Sequence, residues 1–135
     1  MAKHNTVGSI GEDVATRYLE GKSFEIIERN YRKKWGELDI VARETSWNRE
    51  TLHFVEVKTV SREISSTDIS RETSDFSPEE MVHSNKIARL KRAIQTYLLD
   101  RNVPRETEWE FSIIAVFLDQ ATKKAVVRHT KNIVL

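Results

Sequence analysis

Cysteine is absent from the 135 residues. That excludes a disulfide scaffold, a thiolate zinc site and a cysteine nucleophile together. It agrees with a reducing compartment, so a cytoplasmic location is expected. No apolar run is long enough to cross a bilayer, and the first residues lack the apolar stretch of a secretory signal. Net charge is almost missing too: 22 basic residues against 21 acidic ones leave +1. Any nucleic-acid footprint must therefore come from where charges sit, not from their sum. The four histidines, His4, His53, His83 and His129, show no metal-ligand spacing, and His83 falls within the apolar arc of a helix, where packing is the expected role. The lone Gly8 and Gly11 pair is too short for a nucleotide-binding loop; close helix packing or a helix start explains it as well.

What is present reads as one globular domain over residues 1–135, with 39% hydrophobic and 32% charged residues placing the chain outside the disordered class. Val7, Ile10, Val14 and Tyr18 recur at helical spacing and predict a helix over 6–21, with Asn5 or Thr6 as cap and Gly21 as stop. Strands are expected at 24–32, 37–42 and 52–58, with a basic turn at 32–34 and a polar loop at 43–51. Residues 59–77 are rich in Ser, Thr and charge without a period, and predict a mobile loop. Ser77, Pro78 and Glu80 then announce a helix that runs to about Arg101, with Ile87, Leu90, Ile94 and Leu98 as its buried stripe. A largely apolar strand at 109–117, expected in the sheet interior, and a short one at 125–128 complete the chain. Helix, three strands, helix, two strands predicts an α/β fold with a mixed five-stranded sheet and helices packed against it.

Side chains on a strand alternate faces, so Glu37 and Asp39 share one face and Glu56 and Lys58 share one face. If the second and third strands pair as a hairpin centred in the 43–51 loop, Asp39 stands opposite Glu56. Opposed Cβ atoms lie roughly 4.5–5.5 Å apart, and like charges there destabilise a sheet. A cation between them removes the conflict. Mg²⁺ or Mn²⁺ is the expected cofactor, since a hard ion takes one or two carboxylates plus waters and phosphate oxygens. The backbone carbonyl of Val57 is a candidate further ligand. Lys58 can orient or deprotonate the attacking water, or stabilise charge on a phosphorane-like transition state. The plainer reading of Glu56-Val57-Lys58 is a solvated strand face.

Taken together, these residues resemble the PD-(D/E)XK nuclease superfamily, and more closely the YraN-like family of small predicted endonucleases, which are similar to Holliday-junction resolvases. The matching segments are 8–15 (GSIGEDVA) with Tyr18 and Leu19, 29–32 (RNYR), 36–41 (GELDIV) and 54–58 (FVEVK), with Lys86, Leu90, Ala93, Tyr97 and Leu98 in the later helix. The resemblance implies a restriction-endonuclease-like core. It implies that Asp39 and Glu56 bind metal, that Lys58 is catalytic, and that Glu12 completes the site from the first helix. The residues alone favour reading Glu12 as an exposed first-turn acid that suits the helix dipole. Glu37 is either an outer ligand or a strand-end charge. The pattern departs from the family at 110–112, where Glu110-Phe111-Ser112 replaces an Arg-Phe-Asp segment, and in the length of the 59–77 loop.

The acidic positions are bracketed by basic ones, which a phosphate backbone requires because an acidic pocket alone repels it. Lys86, Arg89 and Arg92 lie on the later helix, with Arg89 and Arg92 pointing away from its apolar stripe; Arg29, Arg32, Lys33 and Lys34 precede the acidic strand. Each cluster alone reads equally well as a solvated surface. Trp35 and Trp47 are candidates for stacking on bases or for covering a sheet edge. The expected function is a metal-dependent endonuclease hydrolysing phosphodiester bonds of DNA, branched or damaged DNA included. The alternative is a non-catalytic nucleic-acid-binding or adaptor domain that keeps the fold. A homodimer is expected by analogy with resolvases.

Overall fold

The computed structural model describes residues 6–61, 84–119 and 121–135. Helix α1 (Val7–Gly21) starts where Thr6 holds an extended backbone and its Oγ1 accepts the Ser9 N–H at 3.1 Å. Strands β1 (Glu25–Lys33), β2 (Gly36–Ser46) and β3 (Arg49–Ser61) follow, then helix α2 (Ser84–Asp100), β4 (Glu108–Asp119) and β5 (Lys124–Thr130). The strands form one five-stranded sheet in the order β1-β2-β3-β4-β5. Only β3 and β4 pair in parallel; the other three pairings are antiparallel. The fold is thus α/β with a mixed sheet, as expected of a restriction-endonuclease-like core. The crossover carrying α2 is what permits the one parallel pair, since parallel neighbours cannot be joined by a tight turn.

Each face of the sheet has its own helix. Ala15 and Leu19 of α1 pack with Ile40, Ala42, Val55, Ile114 and Val116. On the other face Leu90, Ala93, Ile94 and Tyr97 of α2 pack with Tyr31, Val41, Phe54, Phe111 and Ile113. Neighbours such as Ile113 and Ile114 therefore serve opposite cores, which is why β4 reads as a nearly unbroken apolar run. Two glycines set the helix positions. A Cβ on Gly11 would stand 1.8 Å from Thr59 Oγ1, so α1 lies directly on β3 there. A Cβ on Gly36 would stand 2.8 Å from the Arg89 carbonyl, so the start of β2 lies against the α2 backbone.

The strands run further than their apolar cores. Residues 43–51 are not a loop: β2 and β3 continue as a hairpin to a turn at Trp47 and Asn48, with Trp47 at φ 60°. The apolar alternation ends because this arm is solvent-exposed on both faces, where ion pairs from Arg43 to Glu25 and from Arg49 to Glu108 replace core contacts. Residues 59–61 also belong to β3 rather than to the expected loop. The remainder of that loop, the helix start at Ser77 and His83 lie outside the described residues. The strand expected at 125–128 is longer, and β4 is interior as expected, flanked by β3 and β5.

Candidate metal and nucleic-acid site

Pairing of β2 with β3 runs from Ser46↔Arg49 to Ile40↔Val55. One more step in this register would set Asp39 opposite Glu56, the alignment the sequence pattern requires. There the ladder gives way: Asp39 Oδ2 accepts the Val57 N–H at 2.8 Å. It is the amide of Val57, rather than its carbonyl, that Asp39 engages. The pairing of β1 with β2 skips the same level, and Asn30 sits there at φ 56°. Leu38 packs under α2 while Ile40, two residues on, packs under α1. Strict alternation breaks at Asp39, and the sheet opens around it.

The opening is a cleft of about 590 Å³ between the starts of α1 and α2. Glu12, Glu37, Asp39, Glu56, Val57 and Lys58 all line it. Burial pushes the Asp39 carboxyl up to about 6, against the Val57 hydrogen bond, with Glu12, Glu56 and Glu37 adding repulsion. Glu12 is the sixth residue of α1, and its side chain is only 19% exposed. The reading of an exposed first-turn acid therefore fails; Glu12 is set over the sheet. Arg29 contributes to that position, with Nη2 3.7 Å from Glu12 Oε1 and 3.0 Å from Asp13 Oδ1. Arg29 thus faces α1 instead of joining the phosphate flank, and nothing in its spacing announced this. Glu37 is exposed and held by Arg32 at 3.1 Å.

Glu56 meets Lys86 of α2, Nζ to Oε2 at 2.5 Å. Lys58 lies two residues further along β3. Among the described residues no three His, Asp or Glu side chains gather closely enough to enclose an ion by themselves. Mg²⁺ does not require that, since it keeps waters and takes one or two carboxylates. A carboxyl raised first by burial and then by neighbouring carboxylates is a group that a divalent cation would return to its charged form, so the donor set fits one.

The rim is basic. Lys33, Lys34, Lys86 and Arg89 line the cleft, whereas Arg32 and Arg92 are not among its lining residues. Arg89 and Arg92 are exposed. Lys33 is drawn toward Asp100 at 3.6 Å and lies over the Tyr31 ring. Trp35 donates its Nε1–H to Thr96 Oγ1 at 3.0 Å, tying the basic turn to α2. Trp47 stands 95% exposed at the hairpin tip.

Ser112, the departure from the family pattern, does not line the cleft. It is fully buried on the α1 side, with Oγ 3.1 Å from His129 Nε2, and His129 Nδ1 is 3.3 Å from the Tyr18 hydroxyl. Burial pushes His129 down to about 4, helped by Lys131 and His53, so its ring is neutral at neutral pH. His53 is also buried, and pairs with Glu44 at 2.9 Å. Both histidines are structural, at positions without spacing to reveal them.

The chain is similar to known proteins along most of its length. Residues 11–116 match the family model described as "Uncharacterised protein family UPF0102". A "UPF0102 protein" of Beutenbergia cavernae is 36% identical over 134 residues, covering 98% of this chain and 99% of the relative. One from Christiangramia forsetii is 34% identical over 125 residues, covering 92% and 91%. Another from Alkaliphilus oremlandii is 32% identical over 127 residues, covering 93% and 95%. Similarity sustained along nearly the whole of both chains, with the Asp39, Glu56 and Lys58 strands inside the matched span, makes this chain a member of the uncharacterised protein family UPF0102.

Proposed function

We propose that the chain is a divalent-metal-dependent endonuclease that hydrolyses phosphodiester bonds of DNA. The observation that carries this reading is the meeting of Asp39 and Glu56 where β2 parts from β3, in a cleft with a basic rim. Asp39 and Glu56 would hold Mg²⁺ or Mn²⁺, with Glu12 and the Val57 backbone at hand in the same cleft. Such an ion supplies Lewis-acid stabilisation of phosphate oxygens when bound. Lys58 orients the attacking water, or takes its proton, and meets the negative charge that grows on the phosphate. Lys33, Lys34 and Arg89 hold the flanking backbone by charge. Branched or damaged DNA is the substrate class that the family resemblance adds. The described residues include no helix long and apolar enough to cross a membrane; a cytoplasmic location, a single domain and a homodimer are part of the same proposal.

The test is a panel of branched, duplex and single-stranded DNA incubated with Mn²⁺, for the wild-type chain beside Glu56→Ala. Cutting that disappears in the folded variant supports the proposal; cutting that persists sinks it. A second reading is a non-catalytic DNA-binding domain, motivated by the departure from the family pattern at Glu110-Phe111-Ser112. Salt-sensitive binding with no cutting in any metal would select it.

A further inference from the structure

The 2.5 Å contact between Lys86 and Glu56 places a cation of the chain's own at a carboxylate proposed to hold metal. The Glu56 side chain is 15% exposed and that of Lys86 36%, so the carboxylate sits in the cleft wall while the lysine stays partly open to solvent. Lys86 is anchored near the start of α2, and Arg89, one turn on, projects at the cleft rim. A lysine head is a single point charge on a flexible stem, which can leave one anion for another without moving its helix. Asp39 next to Glu56 has a hydrogen bond from a backbone amide but no ion pair among the described contacts.

We propose that Lys86 is a competing counter-ion. In the metal-free protein it neutralises Glu56; a divalent cation displaces it, and the freed ammonium turns to a phosphate of the nucleic acid beside Arg89. This rests on the metal site proposed above and adds a regulatory coupling to it. A doubly charged ion shared by Asp39 and Glu56 outcompetes a half-solvated ion pair, which is weak by itself. Once displaced, Lys86 adds one positive charge to the rim only when metal is present. Metal and nucleic acid therefore bind with positive coupling, and the coupling is reciprocal. A chain so wired carries its full phosphate-binding charge only when the cleft is loaded for chemistry.

The experiment measures Mn²⁺ affinity by calorimetry without nucleic acid, for wild type, Lys86→Met, Lys86→Arg and Arg89→Met, with thermal unfolding as the check on folding. Lys86→Met is expected to bind Mn²⁺ roughly three- to fivefold more tightly, Lys86→Arg near wild type, and Arg89→Met within about twofold of it. Equal or weaker binding by Lys86→Met overturns the proposal. So does an equal gain in Arg89→Met, which would mark a general field effect. Duplex binding with Ca²⁺ in place of Mn²⁺ reads the second half. The gain that Ca²⁺ confers on wild type should shrink in Lys86→Met, and an undiminished gain overturns the handover to phosphate. Wild type that fails to bind Mn²⁺, or that binds it as well after Glu56→Gln, removes the metal site and this coupling with it; normal wild-type binding with the wrong sign in Lys86→Met removes the coupling alone.

Discussion

Asp39 Oδ2 accepts the Val57 N–H at the level where β2 and β3 cease to pair. The side chain of one strand completes the ladder that its own backbone has left. The bond fixes the carboxylate in a partly buried position, where desolvation pushes it up to about 6 against the lowering effect of the bond itself. A group held that way is unfavourable when charged unless something positive joins it.

Asp39→Asn keeps an acceptor for Val57 and removes the charge. In chelator-treated protein, a carboxyl whose folded value exceeds its unfolded value destabilises the fold above about pH 6, and the penalty disappears as pH falls through 6 toward 4. The variant is expected to be more stable than wild type by about 1–3 kcal/mol at pH 8 and equal to it near pH 4. Urea unfolding at both values measures this. A difference that grows toward acid contradicts the assignment.

Lys58→Met leaves the carboxylates untouched. Cutting is expected to fall by about 100-fold or more, from lost charge stabilisation, with Mn²⁺ affinity changed only a few-fold. Single-turnover cleavage and calorimetry on one preparation separate the two effects. Loss of metal binding would make Lys58 a supporting residue.

Gly36→Ala drives a Cβ to 2.8 Å from the Arg89 carbonyl, so β2 or α2 must move. A loss of about 1–3 kcal/mol in unfolding free energy is expected. Weaker DNA binding should accompany it, because this contact and the Trp35–Thr96 hydrogen bond hold the basic turn against α2. Chemical denaturation and a DNA titration together check both halves.

Ser112→Ala leaves His129 Nε2 without its 3.1 Å partner. Stability should drop by about 1 kcal/mol, and Mn²⁺ affinity should not change. A changed metal affinity would show that the cleft depends on the buried Ser112–His129 contact.

Lys34→Ala and Arg89→Ala each remove one rim charge. Each should lower the slope of log affinity against log salt by about 1. Arg92→Ala, whose side chain does not line the cleft, should lower it less.

Much of the candidate site's geometry was legible because strand alternation is a local property. Glu37-Leu38-Asp39 and Glu56-Val57-Lys58 show the pattern in the chain itself, and the hairpin register follows from the midpoint between the two strands. The long hairpin arm was not legible: its turn at Trp47 and Asn48 lacks glycine, and its two solvated faces carry no alternation to read. Arg29 was misplaced with the basic flank for a related reason. Its neighbours Asn30 and Asp39 break the alternation, and a positive φ at Asn30 is not written in the spacing of side chains.

By itself the sequence determined the order of elements, the mixed sheet and the hairpin register that brings Asp39 to the level of Glu56, because periodicity and register depend on residues close along the chain. Tertiary structure alone decided that α2 brings Lys86 onto Glu56, that Gly36 lets the basic turn reach α2, and that Ser112 meets His129 instead of lining the cleft. Those contacts join residues far apart in sequence. They depend on which face each helix covers and how closely it approaches, and packing of the two cores sets both.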